Sequence, residues 1–133
     1  WGPQPLAAVE DRMIPGPVGE IHLRVYTPEG KGPFPLLLYF HGGGWVVGSV
    51  NTHDGVCRQL SLESGCMLVS VDYRLAPENK FPAALMDAQA ALEWVFANAR
   101  ELNADPTRVA IGGDSSGGNI AAAVNRSSGY KFR

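Results

Sequence analysis

Polar and apolar residues alternate through Glu20-Ile21-His22-Leu23-Arg24-Val25-Tyr26, the period of a strand with one buried face. Thr27 to Pro33 is rich in proline and glycine and predicts a turn, so an antiparallel hairpin partner is expected after it. That partner is Phe34 to Phe40, apolar throughout and suited to burial on both faces. A helix is expected from Asn51, with Asn51 or Thr52 as its cap and Val56, Cys57 and Leu60 as its apolar positions. Met67 to Val71 predicts a second buried strand, ending in a proline-bearing loop, Asp72 to Glu78. Pro82 stands at a first helical position, and Ala83 to Leu102 predicts a long helix with Leu85, Ala88, Leu92, Val95 and Ala99 on one face. Asp105-Pro106-Thr107 closes that helix, and Arg108 to Gly112 predicts a strand running into a glycine-rich turn and a helix through Val124. Residues 1–19 show little periodicity and read as an irregular lead-in. Strands alternating with helices predict an α/β fold, a mostly parallel sheet with crossover helices. Ligands in such sheets bind at the carboxyl ends of strands, where Gly42–Gly44, Asp72 and Ser115 all fall.

Composition narrows the function classes. A chain of 133 residues with 45% apolar content supports one core. A net charge of −2 supplies no basic patch, so nucleic acid is not an expected partner. No apolar run approaches the ~18 residues of a membrane span, and no secretory leader is recognisable before Trp1. The two cysteines, Cys57 and Cys66, lie in apolar surroundings and are expected as buried free thiols, which fits a cytoplasmic setting. No metal is expected, because His22, His41 and His53 show no ligand spacing, and the glycine run lacks nucleotide-loop spacing, so no cofactor is expected either.

The candidate chemistry lies in two glycine-rich turns. Gly113-Asp114-Ser115-Ser116-Gly117, between a predicted strand and helix, fits a nucleophile elbow that lifts a serine hydroxyl clear of the sheet. A serine needs a base, an orienting acid and donors for the oxyanion. Three successive glycines after a buried strand, Gly42 to Gly44, can turn backbone N–H groups toward a substrate. Gly43 and Gly44, joined by the N–H of Ser116, are the candidate oxyanion donors around Ser115, the candidate nucleophile.

His41-Gly42-Gly43-Gly44-Trp45, Asp72-Tyr73-Arg74-Leu75-Ala76-Pro77-Glu78 and Gly113 to Asn119 resemble, in order, the three signature blocks of the hormone-sensitive-lipase-like (family IV) carboxylesterases of the α/β-hydrolase superfamily. The resemblance covers about Glu20 to Val124 and implies the first strands of an α/β-hydrolase fold through the elbow helix. It implies hydrolysis of short-to-medium acyl esters, small-molecule substrates, through an acyl-serine at Ser115. In that family's pattern His41 is a buried hydrogen-bonding residue shaping the glycine loop and not the base. Trp45 borders the acyl or alcohol pocket, or else is a core tryptophan. Asp72, Arg74 and Glu78 resemble a structural charge cluster near the site, and Asp114 a structural neighbour of the nucleophile.

Members of this superfamily supply the triad in the order Ser, Asp or Glu, His, yet no Asp, Glu or His follows Ser115. His53, in a polar setting, is expected on the surface at a helix start. The division expected is therefore a lead-in or cap remnant over 1–19 and a partial catalytic domain over 20–133. A half-sheet ending just past the elbow helix would expose an apolar edge, open to a C-terminal piece or to a second copy. Two other readings remain open at this stage: a small-molecule receptor on the same scaffold, and an inactive truncated remnant.

Overall fold

A computed structural model describes residues 5–129. Five strands form one mixed sheet in the order β1-β2-β4-β3-β5, with β1 Ala8–Pro15, β2 Glu20–Thr27, β3 Phe34–Phe40, β4 Met67–Asp72 and β5 Ala104–Gly113. The helices are α1 Asp54–Ser64, α2 Ala83–Asn98 and α3 Ser116–Ser128. The β1–β2 and β2–β4 pairs are antiparallel, whereas β3 runs parallel to both β4 and β5. The chain thus moves from β3 out to β4 and back past β3 to β5. Right-handed crossovers in opposite directions put their helices on opposite faces.

The strand pleat sorts the side chains accordingly. Leu23 and Val25 of β2, Leu36, Leu38 and Phe40 of β3, and Met67, Val69 and Val71 of β4 face one way. They meet Ala88, Leu92 and Val95 of α2 and Ile120 and Val124 of α3. The intervening residues Tyr26, Tyr39 and Leu68 face the other way, with Cys57 of α1. The unbranched and alanine-rich run of α2 favours helix at almost every position. It stops at Asn98 and not at Leu102, because a tight turn follows in which Asn103 adopts φ 66° and the Ala104 N–H returns to Ala99 O at 2.8 Å.

Four further expectations are corrected. Residues Ala8 to Pro15, read as irregular, form β1, fully registered with β2 from Ala8↔Thr27 to Pro15↔Glu20. Asp11 reinforces the pairing by accepting from His22 Nε2 at 2.7 Å and Arg24 Nε at 2.8 Å. The expected β2–β3 hairpin does not form, because β4 lies between the two strands. A strand apolar on both faces is stabilised most between two neighbours and under helices on each side, the place β3 takes. In α1, Cys57 and Ser61 are the buried positions, while Val56 is 50% and Leu60 36% exposed. At 100° per residue, a stripe displaced by one residue turns those two side chains off the sheet. Finally, Cys66 is only half-buried; Cys57 is buried, and loss of water pushes its thiol up to about 11.

Candidate active site

The site begins with a register. β3 and β5 pair so that Phe40 lies opposite Gly113, which sets the glycine loop leaving β3 beside the elbow leaving β5. At the elbow Ser115 has φ 53° and ψ −119°, a backbone conformation that non-glycine residues rarely adopt and that costs about 1–3 kcal/mol. The surroundings hold it there. The Gly117 N–H bonds Asp114 O at 2.9 Å, and the Gly118 N–H bonds Ser115 O at 3.0 Å, closing the first turn of α3. A Cβ on Gly113 would lie 2.4 Å from Phe40 O, and one on Gly117 only 1.9 Å from the same atom. Glycine is required at both places by close approach to β3.

Ser115 is exposed and occupies the N-cap position of α3 without a side-chain cap bond, so its hydroxyl is not consumed by the helix. Among the described residues no side chain bonds its Oγ. The N–H groups of Gly43, Gly44 and Ser116 likewise have no acceptor among the described residues. Gly43 at φ 141° and Gly44 at φ 62° form the start of a turn closed by the Val47 N–H on Gly43 O at 3.0 Å. Unpaired donors at a helix N-terminus and in a glycine turn favour developing negative charge.

Asp114 joins the two turns. Its Oδ1 accepts from Tyr39 Oη at 2.5 Å and from the Gly42 N–H at 3.0 Å, and its Oδ2 faces His53 Nε2 at 3.3 Å. Burial raises this carboxyl, but the bonds from Tyr39, Gly42 and His53 outweigh it and hold Asp114 below the usual carboxylate value. His41 is fully buried, with its Nδ1 2.8 Å from Gly42 O and its ring stacked on Tyr73 at 4.3 Å. The Tyr73 hydroxyl donates to His41 O, so Tyr73 holds His41 through both its ring and its main chain. Trp45 is 36% exposed, not a core residue, and its carbonyl accepts the Ala76 N–H at 2.8 Å. With Arg74, Ala76, Asn79, Phe81 and Leu85 it lines an apolar cleft of about 320 Å³.

The expected cluster of Asp72, Arg74 and Glu78 is not one unit. Arg74 pairs with Asp87 of α2 at 2.9 Å, Asp72 faces His22 Nδ1 at 3.5 Å and the Val50 N–H at 3.4 Å, and Glu78 has no ion pair among the described residues. Asp87, buried, also accepts the Arg74 N–H at 3.0 Å and so fixes the loop after β4. Replacing Asp87 with alanine is expected to destabilise the fold by about 3 kcal/mol in urea unfolding, because Arg74 loses its partner.

Burial also holds His41 below its ordinary value of 6.5, against the smaller opposing pull of Gly42 O. The unfolded chain then binds a proton more readily than the folded one, so this stability is present above the unfolded value and is lost as pH falls through 6.5 toward the folded value. A His41→Asn variant keeps a donor for Gly42 O and is expected to flatten the loss of stability between about pH 7 and 5 relative to wild type, read by thermal unfolding.

The signals for Tyr39, His53 and Asp87 in the sequence were weak. Each acts through a partner fixed only by folding, 75 positions away for Tyr39 and 61 for His53. Among the described residues no group of His, Cys, Asp or Glu could hold a metal ion, and no helix is long and apolar enough to cross a membrane.

An exposed serine on a strained strand-to-helix turn, beside a glycine loop whose N–H groups have no acceptor among the described residues, has the geometry of an α/β-hydrolase elbow. The alpha/beta hydrolase fold family model matches residues 37–131. The chain is 51% identical over 124 residues to the carboxylic ester hydrolase LipN of Mycobacterium tuberculosis, a match covering 92% of this chain and 33% of LipN. Among solved structures it superposes with a TM-score of 0.92 on EstE1, a thermophilic carboxylesterase cloned from a metagenomic library, at 53% identity, covering 96% of this chain and 45% of that one. The Pyrobaculum calidifontis esterase matches with the same TM-score at 51% identity, covering 97% of this chain and 43% of that one. The chain belongs to the alpha/beta hydrolase fold family. It spans about a third of the length of LipN, at 33%.

Proposed function

We propose that these residues form the nucleophile and oxyanion half of a serine carboxylesterase that hydrolyses short-to-medium acyl esters. The carrying observation is Ser115 itself: exposed, at φ 53°, with no partner for its hydroxyl among the described residues, next to a glycine loop whose N–H groups have no acceptor among them. Ser115 Oγ attacks the ester carbonyl carbon while its proton passes to a histidine. The oxyanion is held by the N–H groups of Gly43, Gly44 and Ser116, each such donor contributing about 2.7–4 kcal/mol in the transition state. The C–O bond to the alcohol breaks, the histidine returns the proton to the leaving oxygen, and water releases the acid by the same route.

The histidine and its acid partner lie outside these 133 residues in this reading. His53 faces Asp114 and Thr52 with its two nitrogens, and His41 is buried with Nδ1 on Gly42 O. Neither is bonded to Ser115. The test is hydrolysis of p-nitrophenyl butyrate together with intact-mass analysis after a serine-directed phosphonate. One phosphonyl adduct on Ser115, together with turnover lost in Ser115→Ala, supports the reading. Turnover with no adduct, or an adduct on another residue, overturns it. Serine-dependent turnover by a sample whose mass matches 14.2 kDa would show that no outside histidine is needed.

A further inference from the structure

The pair His53–Asp114 lies outside the reaction as written above, yet it touches both halves of the site. His53 holds the N-cap position of α1 but makes no cap bond there; its ring turns instead toward the glycine loop, with the side chain only 20% exposed. Its proton arrangement follows from its neighbours. Thr52 Oγ1 donates its hydrogen to Ser49 O at 3.0 Å and already accepts the Ser49 N–H at 2.9 Å. His53 Nδ1 lies 2.9 Å from the same hydroxyl. Asp114 Oδ2, 3.3 Å from Nε2, belongs to a carboxylate, which can only accept. Nε2 therefore carries the N–H toward it, and the ring is a donor aimed at Asp114 and not a base aimed at Ser115.

What that donor holds is the carboxylate on which the glycine loop rests. A Cβ on Gly42 would lie 2.3 Å from Asp114 Oδ2, so carboxylate and loop are already in contact. Asp114 Oδ1 takes both the Tyr39 hydroxyl and the Gly42 N–H, which leaves Oδ2 with His53 as its donor among the described residues. The Asp114 side chain is 49% exposed, so without His53 the carboxylate could turn toward water and release the Gly42 N–H. Gly42 immediately precedes the candidate donors Gly43 and Gly44. The His53 ring also lies 5.4 Å from that of His41, whose Nδ1 bonds Gly42 O.

We propose that His53 is a positioning residue: through Asp114 it sets the orientation of the glycine loop, and thereby of the oxyanion donors, relative to Ser115. The inference rests on the serine-esterase reading above. A residue of this kind moves the transition state more than the ground state, because the oxyanion forms only as the reaction proceeds.

The experiment compares wild type, Ser115→Ala, His53→Ala and His53→Gln in p-nitrophenyl butyrate hydrolysis, each in a protein that also carries the histidine and acid partner of that reading. It also measures inhibition by a trifluoromethyl ketone, whose serine adduct carries an oxyanion, and thermal unfolding. His53→Ala is expected to lower kcat about tenfold with KM within about twofold, and to weaken the ketone by a similar factor, the effect usual for a group that orients a reacting one. His53→Gln, whose amide N–H reaches about as far as Nε2, is expected to restore most of kcat. Full kcat in His53→Ala overturns the inference. So does a loss of kcat that tracks a lower Tm and is not recovered by glutamine. Turnover in wild type that survives Ser115→Ala fails the esterase reading instead, and the two failures are told apart by that control.

Discussion

In a protein that also carries the histidine and acid partner, replacing Ser115 with alanine is expected to lower ester turnover by about 10⁵–10⁶-fold, the scale on which removal of a serine nucleophile acts. The fold should not change, since the hydroxyl makes no cap bond to α3 and bonds no side chain among the described residues. Alanine and serine carry the same Cβ, so the strain at φ 53° is common to both. The residual rate would come from the oxyanion donors and substrate binding, roughly 10³–10⁴ over water in enzymes of this type. The measurement is kcat for p-nitrophenyl butyrate beside a thermal unfolding curve. A Tm unchanged with turnover lost places the chemistry at Oγ; turnover retained places it elsewhere.

The largest effect on stability is expected at Gly117. Alanine there would bring Cβ to 1.9 Å from Phe40 O and 2.7 Å from His41 O, both main-chain atoms. β3 cannot move aside, because it is hydrogen-bonded to β4 on one edge and to β5 on the other. Nor can α3 lift off without losing Ile120 and Val124 from the core. Gly117→Ala is therefore expected to cost at least ~4 kcal/mol, a large part of the 5–15 kcal/mol that holds a typical domain together. Gly118 is the control: a Cβ there meets nothing closer than Gly113 O at 3.4 Å. Gly118→Ala is expected to stay within about 1 kcal/mol of wild type, since alanine also favours the helix. Urea unfolding of both variants reads the difference, and similar midpoints would refute the packing account.

Much of the fold was legible because it depends on local period. The runs that form β2, β3 and β4 carry their own hydrophobic signatures, and α2 carries both a good helix-forming composition and a continuous apolar face. The elbow was legible for a different reason. Gly113 and Gly117 flank Ser115 at a spacing that only a close strand-to-helix turn demands. β1 was missed because its exposed charged residues, Glu10 to Arg12, hide the strand period and its pairing with β2 supplies what local pattern does not. The face of α1 was misread by one residue because Val56 and Leu60 are more apolar than Cys57 and Ser61. Contact with the sheet, and not hydropathy, decides which pair is buried.

By itself the sequence determined that this protein has an α/β sheet, a glycine turn after one buried strand and a serine elbow after another. Those properties are written in neighbouring residues, whose spacing and size limit the local backbone. Only the tertiary structure decided that β3 lies between β4 and β5, and hence that Gly42–Gly44 stands beside Ser115. It also decided that Tyr39, Asp114 and His53 meet over Gly42. Strand order and side-chain meetings over 61 to 75 positions follow from how the faces of the whole sheet are covered, which no local run encodes.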